Sequence, residues 1–352
     1  MIKTENHSEQ LNLKMQIFSR NNCFICGSKG LLVQRKLSDR LYDVSGEWDL
    51  RRCQSDDCEL VWLDPTPTEE DIGKAYVNYF THQVEFNSSM FRFRQKIKRG
   101  LAGLRYGYQS QTSFSARMLA IPLLFLPFLS EQAIATSCLY LPCENLGNLL
   151  EVGFGNGVLL NNLRCLGWSV EGVDFDPKAI DSARRNFNLN VRAGSLQSQN
   201  YPENNFDAIV INHVIEHVHD PQALLAECYR IMKPGGKLIV LTPNIQSQGY
   251  SKFGKAWVHL DPPRHLNLFS TKTLHKLASL SGLKIVNITT SAKDADTVWI
   301  MSHKIKQSAK WKDNTQGMIW LKIYGKIFQI KEGLSLFTNK TLGEELILMA
   351  TK

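Results

Sequence analysis

Leu149-Leu150-Glu151-Val152-Gly153-Phe154-Gly155-Asn156-Gly157 is an apolar run that feeds directly into three glycines at alternate positions. The run reads as a strand whose exit turns tightly into a helix, with side chains absent where a ligand would approach most closely and backbone N–H groups facing it. A sheet-to-helix turn of purely structural purpose has the same local signature, so its neighbours must be weighed with it. Next come an expected helix from Val158 to Leu166, the turn Gly167-Trp168-Ser169, and a second apolar run, Val170-Glu171-Gly172-Val173, ending in Asp174. An acid there lies beside the first loop of an α/β sheet and can accept hydrogen bonds from both hydroxyls of a ribose. The interval from Gly153 to Asp174 suits a nicotinamide dinucleotide as well as another adenosine-containing cofactor, and spacing alone leaves both open.

Outward from this unit the pattern alternates as a doubly wound α/β sheet requires. Strands are expected near 148–152, 170–174, 190–193, 206–211, 237–242, 283–289 and 344–351, with helices between the early ones. Pro234-Gly235-Gly236 should stop a helix running from Gln222 to Met232 and open the fifth strand.

The stretches LLEVGFGNG (149–157), VEGVDFDPKAIDSAR (170–184), NNFDAIVINHVIEHVHDPQALLAECYRIMKPGGKLIVLTPN (204–244) and GEELILMATK (343–352) together resemble a class I S-adenosylmethionine-dependent methyltransferase. The resemblance implies a Rossmann-like, mostly parallel seven-stranded sheet whose last strand runs antiparallel. It implies S-adenosylmethionine as cofactor, with Glu151, Gly153, Phe154, Gly155 and Gly157 on its methionine side and Asp174 on the ribose. Phe175 would flank the adenine, with Ser195 and Leu196 at its edge. The family often has an acid where this chain has Gly194-Ser195, which leaves the contact to the adenine amino group without its usual partner. Asn212 and His213, just past the fourth strand, would line the cofactor or the methyl-transfer side.

At 352 residues the chain can bury one substantial core plus a smaller module. Its formal charge of +8 suits nucleic acid, an anionic membrane surface or a phosphorylated substrate, without establishing any of them. Residues 1–20 lack the continuous apolar core of a secretory signal and read as a lead-in, so a cytoplasmic protein is expected, with a peripheral membrane contact as the alternative.

Four of the eight cysteines fall as Cys23-x2-Cys26 and Cys53-x4-Cys58. Four thiolates in a tetrahedron satisfy Zn2+ and replace the core that so short a segment could hardly build alone. Buried reduced thiols or a redox pair are the competing readings. The segment also resembles the zinc ribbon found ahead of many methyltransferases of this type. Cys138, Cys143, Cys165 and Cys228 lie outside the pattern and read as ordinary core or surface residues. The expected organisation is therefore a lead-in (1–20), a zinc-ribbon-like domain (21–66), a helical linker and lid (67–144), and a catalytic domain (145–352) with an insertion at about 294–341.

The linker carries Arg92, Arg94, Lys96, Lys98, Arg99, Arg105 and Arg117 without an acid between Met90 and Arg117, followed by the apolar run 118–129. That run is too short to span a bilayer. It reads as a lid with a solvated basic face, or as a segment at a membrane interface or beside a phosphorylated, lipid-linked substrate. Trp311, Trp320, Tyr324 and Phe328 of the insertion read first as core packing against the lid and second as a dimer contact.

Methyl transfer from a sulfonium needs in-line placement of the acceptor more than acid–base help, but a hydroxyl or activated carbon must still shed a proton. Histidine suits that role near neutral pH. The candidates are His213, His217 and His219 after the fourth strand, and His259 and His265 after the fifth. Glu216-His217 resembles the family's common Glu-His pair, at an expected helix start. The loop from Trp257 to Phe269 resembles a W-x-H…P-x-H-L-x-x-F pattern that borders the acceptor site in this group. His265 is the first candidate for base or acceptor orientation, then His259, then His217, each with a purely structural role as the alternative. Arg264 reads as a partner for substrate phosphate or carboxylate, or as a surface charge. No active-site metal is expected, because the sequence offers no compact carboxylate cluster.

The leading functional expectation is methylation of oxygen, or else carbon, on a small-molecule or sugar-containing biosynthetic intermediate. A nucleic-acid methyltransferase is the second reading. Ribbon acids, including Asp39 and Asp64, nearly cancel its bases, and the fourth-strand exit lacks the Asn/Asp-Pro-Pro-aromatic signature of amino-methylating nucleic-acid enzymes. A non-catalytic cofactor-binding or scaffold protein is the third.

Overall fold

The structure is a computed structural model and describes residues 15–77, 88–144, 146–308 and 318–352. The N-terminal module holds β1 (Ile17–Phe18), β2 (Gly30–Leu37), β3 (Trp48–Cys53), β4 (Val61–Asp64) and β5 (Thr66–Pro67). Among the described residues three α-helices follow, α1 (Ser89–Arg105), α2 (Phe114–Ala120) and α3 (Pro127–Ser137), the first two capped by the hydroxyls of Ser88 and Ser113.

The large domain runs β6 (Asn148–Val152), α4 (Val158–Cys165), β7 (Ser169–Asp174), α5 (Pro177–Phe187), β8 (Val191–Ala193), β9 (Phe206–Asn212), α6 (Pro221–Ile231) and β10 (Met232–Pro243). It continues through α7 (Gln248–Phe253), β11 (Asn267–Leu268), α8 (Thr271–Leu280), β12 (Lys284–Ser291), α9 (Ala295–Ser308), α10 (Met318–Ser335) and β13 (Glu345–Thr351). Its seven-stranded sheet has the order β12-β13-β10-β9-β6-β7-β8, parallel except that β13 runs antiparallel to both neighbours. This is the doubly wound fold expected from the sequence. One local difference is that β10 already pairs with β9 at Met232, and Pro234-Gly235-Gly236 forms an irregularity inside that pairing rather than a turn ahead of it.

The strands are apolar on both sides because both faces are covered. On one face Ile209, Ile211 and Val240 pack with Leu224 and Leu225 of α6, Leu274 of α8, and Cys58, Leu60 and Trp62 of the N-terminal module. On the other, Leu149, Val210 and Leu241 pack with Leu160 of α4, Ala183 of α5, and Leu101 and Ile134 of α1 and α3. The expected lid is thus in large part a covering layer of the sheet. Its basic face is exposed at Arg92, Arg94, Lys96 and Arg105, whereas Lys98, Arg99 and Arg117 are partly buried. Arg99 donates to Asn162 at 2.8 Å, Arg105 to Ser130 at 3.0 Å, and Arg117 to the carbonyl of Gln109 at 2.5 Å.

The N-terminal module is not a bead on a string. β11, from the large domain, pairs antiparallel with β4, giving a four-stranded sheet in the order β11-β4-β3-β2. Leu50, Val61 and Leu63 of that sheet share a core with Trp257, Leu260, Val298 and Phe328. At the joint lies Arg264, wholly buried, with Nη1 and Nη2 on the two carboxylate oxygens of Asp39 at 2.9 and 2.8 Å and Nε on Asp261 at 3.0 Å. Its guanidinium also lies 4.6 Å from the ring centroid of Tyr42. Neither sequence reading of Arg264, a substrate anchor or a surface charge, survives: its donors are turned into the protein. Replacing Arg264 with Met should strand the buried Asp39 carboxylate and destabilise the fold by about 3–5 kcal/mol. Urea unfolding measures this, and an unchanged midpoint would contradict the structural role.

Candidate active site

Gly153, Gly155 and Gly157 all have positive φ, at 70°, 54° and 74°. The need at Gly153 is also steric, since a Cβ there would lie 2.2 Å from Cγ2 of Val214. Asp174 closes the loop from the next strand, one carboxylate oxygen accepting from Gly155 N at 2.8 Å and the other from Asp176 N at 2.9 Å. Below it, Glu151 is buried with Oε2 lacking a hydrogen-bond partner. Burial, reinforced by the Asp174 charge, holds its carboxyl well above the ordinary range. A cradle of glycine backbone, a ribose-type acid and an orphaned buried carboxyl fits a cofactor that carries hydroxyls and a positive charge. Phe175 is 72% exposed, available to stack on a planar base, whereas Leu196 is buried and Ser195 Oγ accepts from Ser198 N at 3.1 Å.

The turn after β9 joins this cradle to the histidines. Val214 abuts Gly153, and Asn212 and His213 stand at the strand's C-terminal end. His213 has φ 54° and bridges two acids, with Nδ1 3.3 Å from Glu216 and Nε2 2.9 Å from Glu345. Burial alone would lower this imidazole, but the two carboxylates carry it up to about 10, so it is a fixed cation at neutral pH. Lys293, 2.5 Å from the other oxygen of Glu345, completes the pair of cations around that acid.

Glu216 and His217 lie in the turn before α6, not at the helix start, because α6 begins at Pro221 with Asp220 as its cap. Nδ1 of His217 is 3.1 Å from the carbonyl of Arg264 and 3.0 Å from the hydroxyl of Tyr76. Nδ1 of His265 is 2.7 Å from the carbonyl of His259. A carbonyl only accepts, so each Nδ1 carries a hydrogen. The two rings meet edge to face with centroids 4.6 Å apart. Burial, then the neighbouring His265, pushes His217 down to about 4, and burial, then His213, pushes His259 down to about 3. Nε2 of His259 is buried without a partner. His219 stands apart, donating Nε2–H to the carbonyl of Pro67 at 2.7 Å.

A ring nitrogen from each of His217 and His265 and a carboxylate oxygen of Glu216 lie within 4.8 Å of one another. Imidazoles whose other nitrogen is tied to a carbonyl are oriented as metal ligands commonly are. The sequence reading looked only for carboxylates and so missed this mixed group. It also missed Tyr76 and Lys293, which lie outside the motifs, and Glu345, which lies in the last motif but carries no local mark of its partner His213. Trp257, in contrast, turns inward and donates Nε1–H to Glu344 at 3.0 Å.

In the N-terminal module the four cysteines converge, each sulfur within 4.8 Å of the others, with Sγ–Sγ distances of 3.6 Å for Cys23–Cys58 and 3.3 Å for Cys26–Cys53. The sequence pairing by spacing therefore becomes a cross-pairing in space.

The seven-stranded sheet with its antiparallel last strand is the Rossmann-like class I methyltransferase fold. Residues 127–288 match the family model of a methyltransferase domain. The chain is similar to the ubiquinone biosynthesis O-methyltransferase of Coxiella burnetii, 29% identical over 153 residues, which make 40% of this chain and 65% of that protein. It is also similar to the mitochondrial ubiquinone biosynthesis O-methyltransferase of Rattus norvegicus, 33% identical over 135 residues, or 35% of this chain and 39% of that protein. The chain thus spans less than two thirds of the length of these relatives. A solved S-adenosylmethionine-dependent methyltransferase from Archaeoglobus fulgidus aligns with 75% of this chain and all of its own, at 20% identity and a TM-score of 0.40.

Asp174→Asn leaves one acceptor oxygen where the carboxylate has two, so it should lose one of the two backbone hydrogen bonds and weaken S-adenosylhomocysteine binding by at least about 10- to 100-fold, the loss expected of charge-assisted hydrogen bonds to a ribose. Isothermal titration calorimetry measures it, and unaltered affinity would remove Asp174 from the ribose site.

Proposed function

We propose that the protein is an S-adenosylmethionine-dependent methyltransferase acting on oxygen, or else carbon, of a small biosynthetic intermediate. The observation that carries this reading is the turn 213–217, whose Val214 packs on the glycine loop while its His217 meets His265. In this reading the two imidazoles, each tied through Nδ1 to a main-chain carbonyl, serve the acceptor side of the cofactor cradle, at the C-terminal edge of the sheet where α/β enzymes work. The names of the relatives support a hydroxylated intermediate in particular.

When bound, S-adenosylmethionine supplies an electrophilic methyl on a neutral leaving group. The protein's own task is to hold the acceptor in line with that methyl and to take its proton. His265 Nε2 is the base in this reading, with Nδ1–H held by the His259 carbonyl so that the lone pair faces inward. Burial pushes His217 and His259 down, and His213 with Lys293 balances the buried acids Glu216 and Glu345. His265→Gln should lower kcat about 10^2-fold and leave cofactor affinity nearly unchanged. Equal turnover in a folded variant would end the assignment, and wild-type protein that fails to bind S-adenosylhomocysteine would favour a scaffold role instead.

The cysteine cluster is proposed to hold one structural Zn2+. Sulfurs about 2.3 Å from a tetrahedral zinc stand about 3.8 Å apart, close to the distances between these thiols. Ser55 N, 3.4 Å from Cys53 Sγ, adds a donor suited to a thiolate. Native mass spectrometry should find one zinc per chain, and Cys23→Ser with Cys53→Ser should abolish it and lower the thermal midpoint by several degrees. A metal-free wild type of equal stability would leave four reduced thiols as the better reading.

A further inference from the structure

Helix α10 is built inside out. Its stripe of Ile319, Ile323, Ile327, Ile330 and Leu334, with Trp320 beside it, points to solvent, each residue between 42% and 74% exposed. The face turned to the protein carries Gly325, Phe328, Gln329 and Glu332. The polar groups pin this register: Gln329 Nε2 donates to the carbonyls of Ala292 and Lys293 at 2.9 and 2.5 Å, and Glu332 Oε1 accepts from Glu344 N at 2.8 Å. Rotating the helix to bury its isoleucines would break all three bonds and bury cations. Scattered exposed apolar residues need no account, but a stripe sustained over four turns does.

A second apolar tip lies beside it. Leu124, Phe125, Leu126 and Leu129, around the start of α3, are 41–79% exposed. The adjoining Phe128 ring packs on Gly333, where a Cβ would come within 2.5 Å, so the tip and α10 form one rigid surface. The exposed charges of α1 and α10 have one sign. Arg92, Arg94 and Lys96 of α1 and Lys322 and Lys331 of α10 are exposed, whereas Glu332, the one acid between Met318 and Lys340, is buried. Two such faces brought together in a dimer would oppose cation to cation. An anionic lipid surface offers both an apolar interior for the stripe and phosphates for the cations.

We propose that α10 and the α3 tip form a docking face that seats the protein on an anionic bilayer surface. Among the described residues no helix is long and apolar enough to cross a membrane, so the contact is interfacial. The face lies on the opposite side of α10 from Glu344, the partner of Trp257 in the candidate acceptor loop. The proposal does not depend on the identity of the acceptor.

The test is flotation of the full chain with vesicles of phosphatidylcholine alone and of phosphatidylcholine mixed with phosphatidylglycerol. Anionic vesicles should carry the protein, with partitioning at least about tenfold weaker on neutral ones, since each cation near the surface is attracted by the anionic headgroups. Ile323→Asp with Ile330→Asp should reduce partitioning by at least about tenfold while S-adenosylhomocysteine binding stays as in wild type. Should that variant misfold, quenching of tryptophan fluorescence by brominated lipid, diminished in Trp320→Phe, reads the same contact. Absence of wild-type binding to anionic vesicles would overturn the proposal. So would a dimer in analytical ultracentrifugation that the double substitution converts to monomer, which would assign the face to a second copy.

Discussion

A single buried guanidinium holds the two halves of this protein in register. Arg264 satisfies Asp39 from the N-terminal module and Asp261 from the loop after β10, and its carbonyl receives His217 from the turn after β9. Three segments that supply the candidate site therefore meet at one residue. Burying that charge is tolerable only because both carboxylates are present and correctly aimed. A point charge would not do as well, since the planar fork spans the two Asp39 oxygens at once.

The site built on this joint is a balance of charges. His213 and Lys293 lie on opposite oxygens of Glu345, while His217 and His259 are kept neutral by burial and by cationic or imidazole neighbours. Closely spaced groups in a shared low-dielectric environment are thus pushed in opposite directions, His213 up and His217 and His259 down. The orphaned Glu151 extends the same logic to the cofactor side, where it is a carboxyl waiting for a cation.

Local pattern made much of this legible. The glycine loop, Asp174 and the seven strands follow from periodicity and turn chemistry, and the Cys spacing announced the thiol cluster. Arg264 was misread because an arginine in a His-rich loop carries no mark of its partner, and Asp39 lies more than two hundred residues away. Trp320 and Tyr324 were expected in the core from their spacing, yet they are 67% and 55% exposed, and only Phe328 is buried. Their spacing marks a helix face but not which way the face turns; the inward Gln329 and Glu332 decide that. Trp311 lies outside the described residues. His219 satisfies a main-chain carbonyl, a role that sequence cannot separate from catalysis.

The strand Asn267–Leu268 completes the sheet of the N-terminal module by pairing with Trp62 and Val61. During synthesis that module emerges long before its fourth strand exists. Until the ribosome has passed the middle of the large domain, β4 presents an open edge, and edges of this kind recruit other chains. The contact also spans a long loop of sequence, so it forms slowly and late. The module at the beginning of the chain is in this sense among the last parts of the protein to be finished.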